Sequence, residues 1–246
     1  MPTNKNNSVN LLWKKKRSSN RGPKPSVSAD QIARAAIHVA DKEGLEAVTM
    51  QRISAEIGLT TMALYRYVSS KSELVDLMID SASDTAPVFG KPSQPWSDRL
   101  KEWARRCFFI YRDHPWFLEA TSMRRSIMGP NELSWMEAAL SMLAESGLPA
   151  EERHPAFLAL IGHVRGHATF LQIRTRGDSA QQWTNDLIQL LDSQADRYPV
   201  LLTAARSGAF SKTSVLAFDF GIDCILDGVH ARVAGHKRGS PKRPIR

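Results

Sequence analysis

Thr61, Met62, Ala63, Tyr65, Arg66 and Tyr67 crowd into seven consecutive positions broken only by Leu64, and Lys71 follows four residues later. Together they offer hydroxyls, a guanidinium, an ammonium and small apolar surfaces. Such groups bond phosphate oxygens, read base edges or rest against a thymine methyl. Nothing in the chain competes with them as a catalytic set. There is no G-x-S-x-G, no Walker loop, no G-x-G-x-x-G after a strand and no C-x-x-C.

The stretch Val48–Lys71 must position these residues. Thr49 is an N-cap type, and Met50, Ile53 and Ile57 then recur at helical spacing. Gly58 stands where a helix must stop and the chain must turn. Leu59 anchors the turn, and Thr60 or Thr61 caps a second helix running to about Val68. Leu64 and Val68 give that helix one buried stripe, which leaves Thr61, Met62, Ala63, Tyr65, Arg66 and Tyr67 on other faces. A helix, a glycine turn and a short second helix form a helix-turn-helix, whose second helix enters the DNA major groove. Arg66 is the one arginine of that helix, and arginine to guanine is the commonest specific base contact; the competing reading is a solvated surface arginine.

The run G-L-T-T-M-A-L-Y-R-Y-V-S-S-K-S-E-L resembles the N-terminal domain of TetR-type transcriptional regulators. Gly58, Leu64, Tyr65, Tyr67, Val68, Lys71 and Leu74 occupy the hallmark places, and the match covers Ser28 to about Asp80. Matched position by position, the resemblance implies that Thr61, Met62, Ala63, Tyr65 and Tyr67 face DNA. Thr61 would bond a base edge or a phosphate, Met62 and Ala63 would touch a thymine methyl, and the two tyrosines would fix the register on phosphates. Lys71 would add a phosphate contact, and Thr60 and Arg66 complete the candidate DNA-binding set. Thr49 and Gln51 would begin the supporting helix. Several relatives carry arginine at the place of Gln51, and here Arg52 is its neighbour, so whether either reads a base stays open. Further on, W-S-D-R-L-K-E-W-A, H-P-W and L-A-E-S-G-L resemble the C-terminal domain of the Tet-repressor-like branch.

Charge is concentrated at the ends. The chain has 246 residues, a formal net charge of +8 and 42% hydrophobic residues. Residues 1–26 hold Lys5, Lys14, Lys15, Lys16, Arg17, Arg21 and Lys24 with no acid, and 235–246 hold Lys237, Arg238, Lys242, Arg243 and Arg246 with no acid. The body between them is slightly acidic. Basic tails favour phosphate backbones, although such runs also merely solubilise chains. Residues 1–26, polar but for Trp13, read as a disordered arm that grips DNA. Cys107 and Cys224 are too few for a disulfide framework, so a cytoplasmic location is expected. No secretory signal or membrane-length apolar run is evident.

In chain order the expected fold is all-α. A helix starts after Ser28 and ends before Gly44, with Ile32, Ala36, Val39 and Ala40 on one face. Leu45 and Val48 join the small core of Ile53, Ile57, Leu59 and Leu64. A fourth helix begins near Ser70 in a capping box with Glu73, its inner face being Leu74, Leu77, Met78 and Ser81. The DNA-binding domain is thus 27–83. Pro87, Gly90, Pro92 and Pro95 mark a linker at 84–95. Residues 96–234 read as helices over about 97–113, 115–127, 132–146, 151–176, 179–206 (interrupted near Tyr198–Pro199) and 212–234.

In that second domain the resemblance implies an effector pocket. Trp103, Trp116, Trp135, His163, His167, Phe170 and Arg174 are its candidate lining, against the bland reading that aromatics at helical spacing are core. His163 and His167 share a helix face, but H-V-R-G-H is not H-E-x-x-H and lacks a third ligand, so no metal and no cofactor are expected. Gly162, Gly166 and Ala168 on one helix, and Gly221, Cys224 and Gly228 on the last, permit close helix approach, and relatives dimerise through such helices. The expectation is a homodimeric repressor, not an enzyme, that is released from a palindromic operator on double-stranded DNA by a small-molecule effector. A ligand-independent or architectural DNA-binding protein, with a C-terminal half that only dimerises, is the alternative.

Overall fold

The computed structural model describes residues 12–13, 27–91, 93–123, 127–174, 180–208, 210 and 214–239, and they are helical without a strand. The basic arm other than Leu12 and Trp13, and the tail beyond Gly239, lie outside the described residues. Two compact units divide between Phe157 and Leu158.

In the first unit, α1 (Ala29–Glu43) starts in a capping box: Ser28 Oγ accepts from Gln31 N, and Gln31 Oε1 accepts from Ser28 N. It stops at Gly44, at φ 86°, which a side chain disfavours. A 3₁₀ turn, Leu45–Ala47, leads to α2 (Met50–Glu56) and α3 (Thr61–Tyr65). Between them Gly58 sits at φ 68° and Leu59 N donates to Ser54 O. Ile32, Ala36, Val39, Val48, Ile53, Leu64 and Val68 are buried together with Leu74 and Met78 of α4 (Lys71–Ser83). Ile57 and Leu59 are only half-buried.

Two details depart from the expected pattern. Regular α3 ends at Tyr65 rather than Val68, because the amides of Arg66 and Tyr67 bond three residues back and tighten the last turn. Val68 is nevertheless fully buried, as its stripe requires. And α4 is not one-sided: every residue from Glu73 to Asp80 is buried, because α1, α6 and α7 all pack on it. Glu73 is accommodated by donors: its Oε2 accepts from Ser69 N at 2.8 Å and Ser69 Oγ at 2.7 Å.

The segment after α4 lies against α7 (Pro130–Glu145): Ala86 N donates to Ser134 Oγ, and Phe89 packs edge-on to Trp135. α5 (Trp96–Asp113) buries Leu100, Trp103, Ala104, Cys107, Phe108 and Tyr111. α6 covers Trp116–Ser122, shorter than the 115–127 expected; Thr121 and Ser122 bond back to the carbonyls of Phe117 and Leu118, which weakens the helix end.

α8 (Ala150–Arg174) passes through the unit boundary. The second unit continues with α9 (Ala180–Asp192), α10 (Pro199–Arg206) and α11 (Ser214–Gly239). The interruption expected near Tyr198–Pro199 is present, with Pro199 as the first residue of α10, where its missing N–H costs nothing. α9 and α10 share a small core of Leu191, Leu202 and Ala205, closed by an ion pair from Arg206 to Asp192. Along α11, Phe218, Ile222, Leu226, Val229 and Val233 form the buried stripe.

Candidate nucleic-acid interface

The geometry of α2 and α3 follows from short-range bonding. Thr49 Oγ1 accepts from Arg52 N and caps α2; Thr60 Oγ1 accepts from Ala63 N and caps α3, which resolves the choice between Thr60 and Thr61. Thr61 has another partner: its hydroxyl lies 3.1 Å from that of Ser54, which is buried. This contact staples α3 to α2, and Ser54 was not among the sequence candidates; a serine amid apolar neighbours in α2 was its only signal.

With Leu64 and Val68 turned inward, α3 presents Met62, 76% exposed, and Tyr65, 45% exposed. Arg66 is exposed and Tyr67 and Ala63 are half-buried. An exposed methionine and tyrosine on one short helix have no packing role; they are surface available to a partner. Gln51 is exposed on the first turn of α2. Lys71 is exposed on the first turn of α4, its ammonium 3.5 Å from Leu45 O.

Arg52 is placed differently. Its guanidinium meets Glu43 at 2.8 Å and Glu56 at 2.6 Å, which joins the end of α1 to α2. The Glu43 and Glu56 hydrogen bonds raise its pKa further, and the Arg52 hydrogen bond lowers that of Glu56. In this arrangement Arg52 sets helix geometry, while Gln51 beside it is free of such pairing.

The effector candidates fall in both units. Three indoles are committed inside the first unit: Trp103 Nε1 donates to Trp135 O, Trp135 Nε1 to Ser83 O, and Trp116 Nε1 to Asp41 Oδ1 at 2.6 Å. His114 Nδ1 lies 2.8 Å from the same Asp41 oxygen, so Asp41 ties α1 to the start of α6. Trp103 and Trp116 are buried, and Trp135 is half-buried. In the second unit His163 Nε2 lies 3.0 Å from Phe218 O, and the rings of His163, His167 and Phe218 pack together. Phe170 is half exposed, and the side chain of Arg174 lies outside the described residues. A groove of about 340 Å³ runs between α7 and α8, lined by Glu137, Leu140, Ser141, Ala144, Ala150, Arg153 and His154, none of them a sequence candidate. Among the described residues no three His, Cys, Asp or Glu side chains are grouped to hold a metal ion.

Of the glycines expected to permit close approach, Gly221 does so within the chain. A Cβ there would lie 2.6 Å from His163 Nε2. Gly162, Gly166 and Gly228 would meet nothing within 4 Å. Ala168 is buried, whereas Gly162, Gly166, Cys224 and Gly228 are exposed or half-buried.

A stapled helix-turn-helix with an exposed second helix, carried by an all-helical body, defines a DNA-binding transcriptional regulator. Residues 32–78 match the model for bacterial regulatory proteins of the tetR family, and residues 89–233 match the tetracyclin repressor-like C-terminal domain. The chain belongs to the TetR family, and it is a regulator rather than an enzyme. It is 36% identical over 241 residues to the HTH-type transcriptional repressor DrrR1 of Streptomyces coeruleorubidus, covering 94% of this chain and 87% of that one. Among solved structures, apo ActR from Streptomyces coelicolor superposes with a TM-score of 0.76 at 25% identity, over 87% of this chain and 100% of ActR. ActR in complex with actinorhodin gives 0.75 at 26% identity, over 84% and 96%. Among the described residues no helix is long and apolar enough to cross a membrane.

Proposed function

We propose that two copies of this chain repress transcription from a palindromic operator and that a small-molecule effector releases them. The exposed Met62–Tyr65 face of a capped, stapled α3 carries the reading. Thr61, Met62, Ala63 and Arg66 meet base edges, and Thr49, Gln51, Thr60, Tyr65, Tyr67 and Lys71 position the helix on phosphates. Arg52 supports them from behind through Glu43 and Glu56. Residues 27–83 are the reader, 84–95 the connection, and 96–234 the effector-binding and pairing domain. The basic stretches 1–26 and 235–246 add phosphate contacts, and the protein works in the cytoplasm.

Pairing has a physical motive. One short α3 covers too little DNA for tight binding, and two set about 34–36 Å apart read successive major grooves. α8 and α11 each carry a stripe of exposed apolar and small residues: Leu158, Gly162, Gly166 and Phe170 on one, Phe220, Cys224 and Gly228 on the other. Phe220, 71% exposed, belongs at an interface rather than in water. The ActR complexes with actinorhodin and with (S)-DNPA support an effector. It acts by population shift, favouring a state whose two α3 helices no longer match the grooves.

Fluorescence anisotropy with the duplex flanking its own gene tests the reading. A salt-dependent, competitor-resistant complex of two subunits per duplex is the expected result. A single subunit bound, or binding erased equally by any DNA, overturns it.

A further inference from the structure

The first turn of α7 lacks a cap of its own. Its N-cap residue is Gly129, which has no side chain, and its first residue is Pro130, which has no N–H. The amides that need acceptors are those of Asn131 and Glu132. Both donate to a single atom on another helix, Asp80 Oδ1 of α4, at 2.8 and 3.2 Å. Asp80 is 7% exposed, and its negative charge faces the positive end of α7.

The fit is specific. A Cβ on Gly129 would fall 2.7 Å from the Asp80 Cβ, and closer still to its carboxylate. A side chain at 129 would force α4 and α7 apart, because the Asp80 Cβ cannot rotate away. Further bonds surround this contact. Asn131 Nδ2 donates to Asp80 O, Trp135 Nε1 to the carbonyls of Ser83 and Asp84, and Ala86 N to Ser134 Oγ. The last turn of α4 is therefore clasped by the first turn of α7. The other end of α4 begins at Lys71, directly after the reading segment.

We propose that Asp80 is the positioning residue that couples the helical body to the DNA reader, through its capping of α7. The inference rests on the operator reading above and adds the device by which that reading is regulated. Hydrogen bonds hold only over a few tenths of an ångström, so the clasp is either made or broken. While made, it fixes α4 and hence the direction of α3. Once broken, α4 swings, and the fraction of dimers with correctly separated reading helices falls; apparent affinity falls by the same factor. An effector that displaces the start of α7 breaks the clasp.

The test uses the full-length protein and the duplex flanking its own gene. In the wild type, exchange of the Asn131 and Glu132 amides slows when that duplex is added, although neither residue belongs to the reader. Asp80→Ala binds the duplex at least fivefold more weakly, and Asp80→Asn, which keeps an acceptor oxygen, recovers most of the loss. If the alanine variant does not fold, the wild-type exchange measurement decides alone. A wild type that binds with unaltered exchange, or a folded Asp80→Ala that binds within fivefold, overturns the clasp only. A wild type that ignores the duplex overturns the operator reading and the clasp with it.

Discussion

Replacing Gly221 by alanine separates local propensity from tertiary fit. Gly221 lies inside α11, where alanine is favoured over glycine by about 1 kcal/mol. The new methyl, however, would meet the His163 ring, 2.6 Å from Nε2 and 2.8 Å from Nδ1. That ring is held by its contact with Phe218 O at 3.0 Å and by Phe218 and His167 beside it. Forcing it aside costs about 1–3 kcal/mol as overpacking, and losing the hydrogen bond adds about 0.5–1.5 kcal/mol. Net of the propensity gain, Gly221→Ala should destabilise by about 0.5–3.5 kcal/mol. Gly235→Ala, on the same helix with nothing within 4 Å, should be neutral or slightly stabilising. Urea unfolding at fixed subunit concentration measures both, since the stability of a dimer depends on concentration. The double-mutant cycle is sharper: in a His163→Ala background the methyl has room, so Gly221→Ala should there cost nothing. An equal cost in both backgrounds would refute the steric account.

Four further outcomes concern the basic arm, Arg66 and the two thiols. Deleting residues 1–24 should weaken DNA binding and flatten its salt dependence, by about 0.9 in log–log slope for each phosphate the arm no longer neutralises; identical affinity at every salt concentration would discard the arm. Arg66→Ala should lower discrimination at one operator position by about 1–3 kcal/mol, read by competition with single-base variants, and a uniform loss over all variants would make Arg66 a phosphate contact instead. Burial raises the pKa of the Cys107 thiol well above its ordinary value, so it should resist a thiol reagent until the protein unfolds. Exposed Cys224 lies on the stripe assigned to the partner copy, so its reaction should slow as protein concentration rises. A rate independent of concentration would move the dimer contact elsewhere.

What the sequence determined alone is local. Ser28, Thr49 and Ser70 were legible as caps, Gly44 and Gly58 as stops, and Leu64 with Val68 as an inward stripe, because each depends on neighbours three or four residues away. Those same rules left Met62, Tyr65 and Arg66 facing out, so the exposure of the face proposed to read DNA was legible in the sequence. The tertiary structure decided whatever depends on a partner from a distant helix. Glu73, Asp76 and Asp80 have the spacing of a solvated stripe, yet they are buried because other helices enclose α4. The N–H groups of Trp103, Trp116 and Trp135 are committed to internal oxygens that the sequence did not name. Nor did the sequence show that Glu43, nine positions earlier, would close on Arg52. Gly129 and Gly221 are required by Asp80 and His163, which stand 49 and 58 residues away in the chain. Periodicity records which face of a helix turns inward, whereas the identity of the atom that meets it is fixed only when the helices pack.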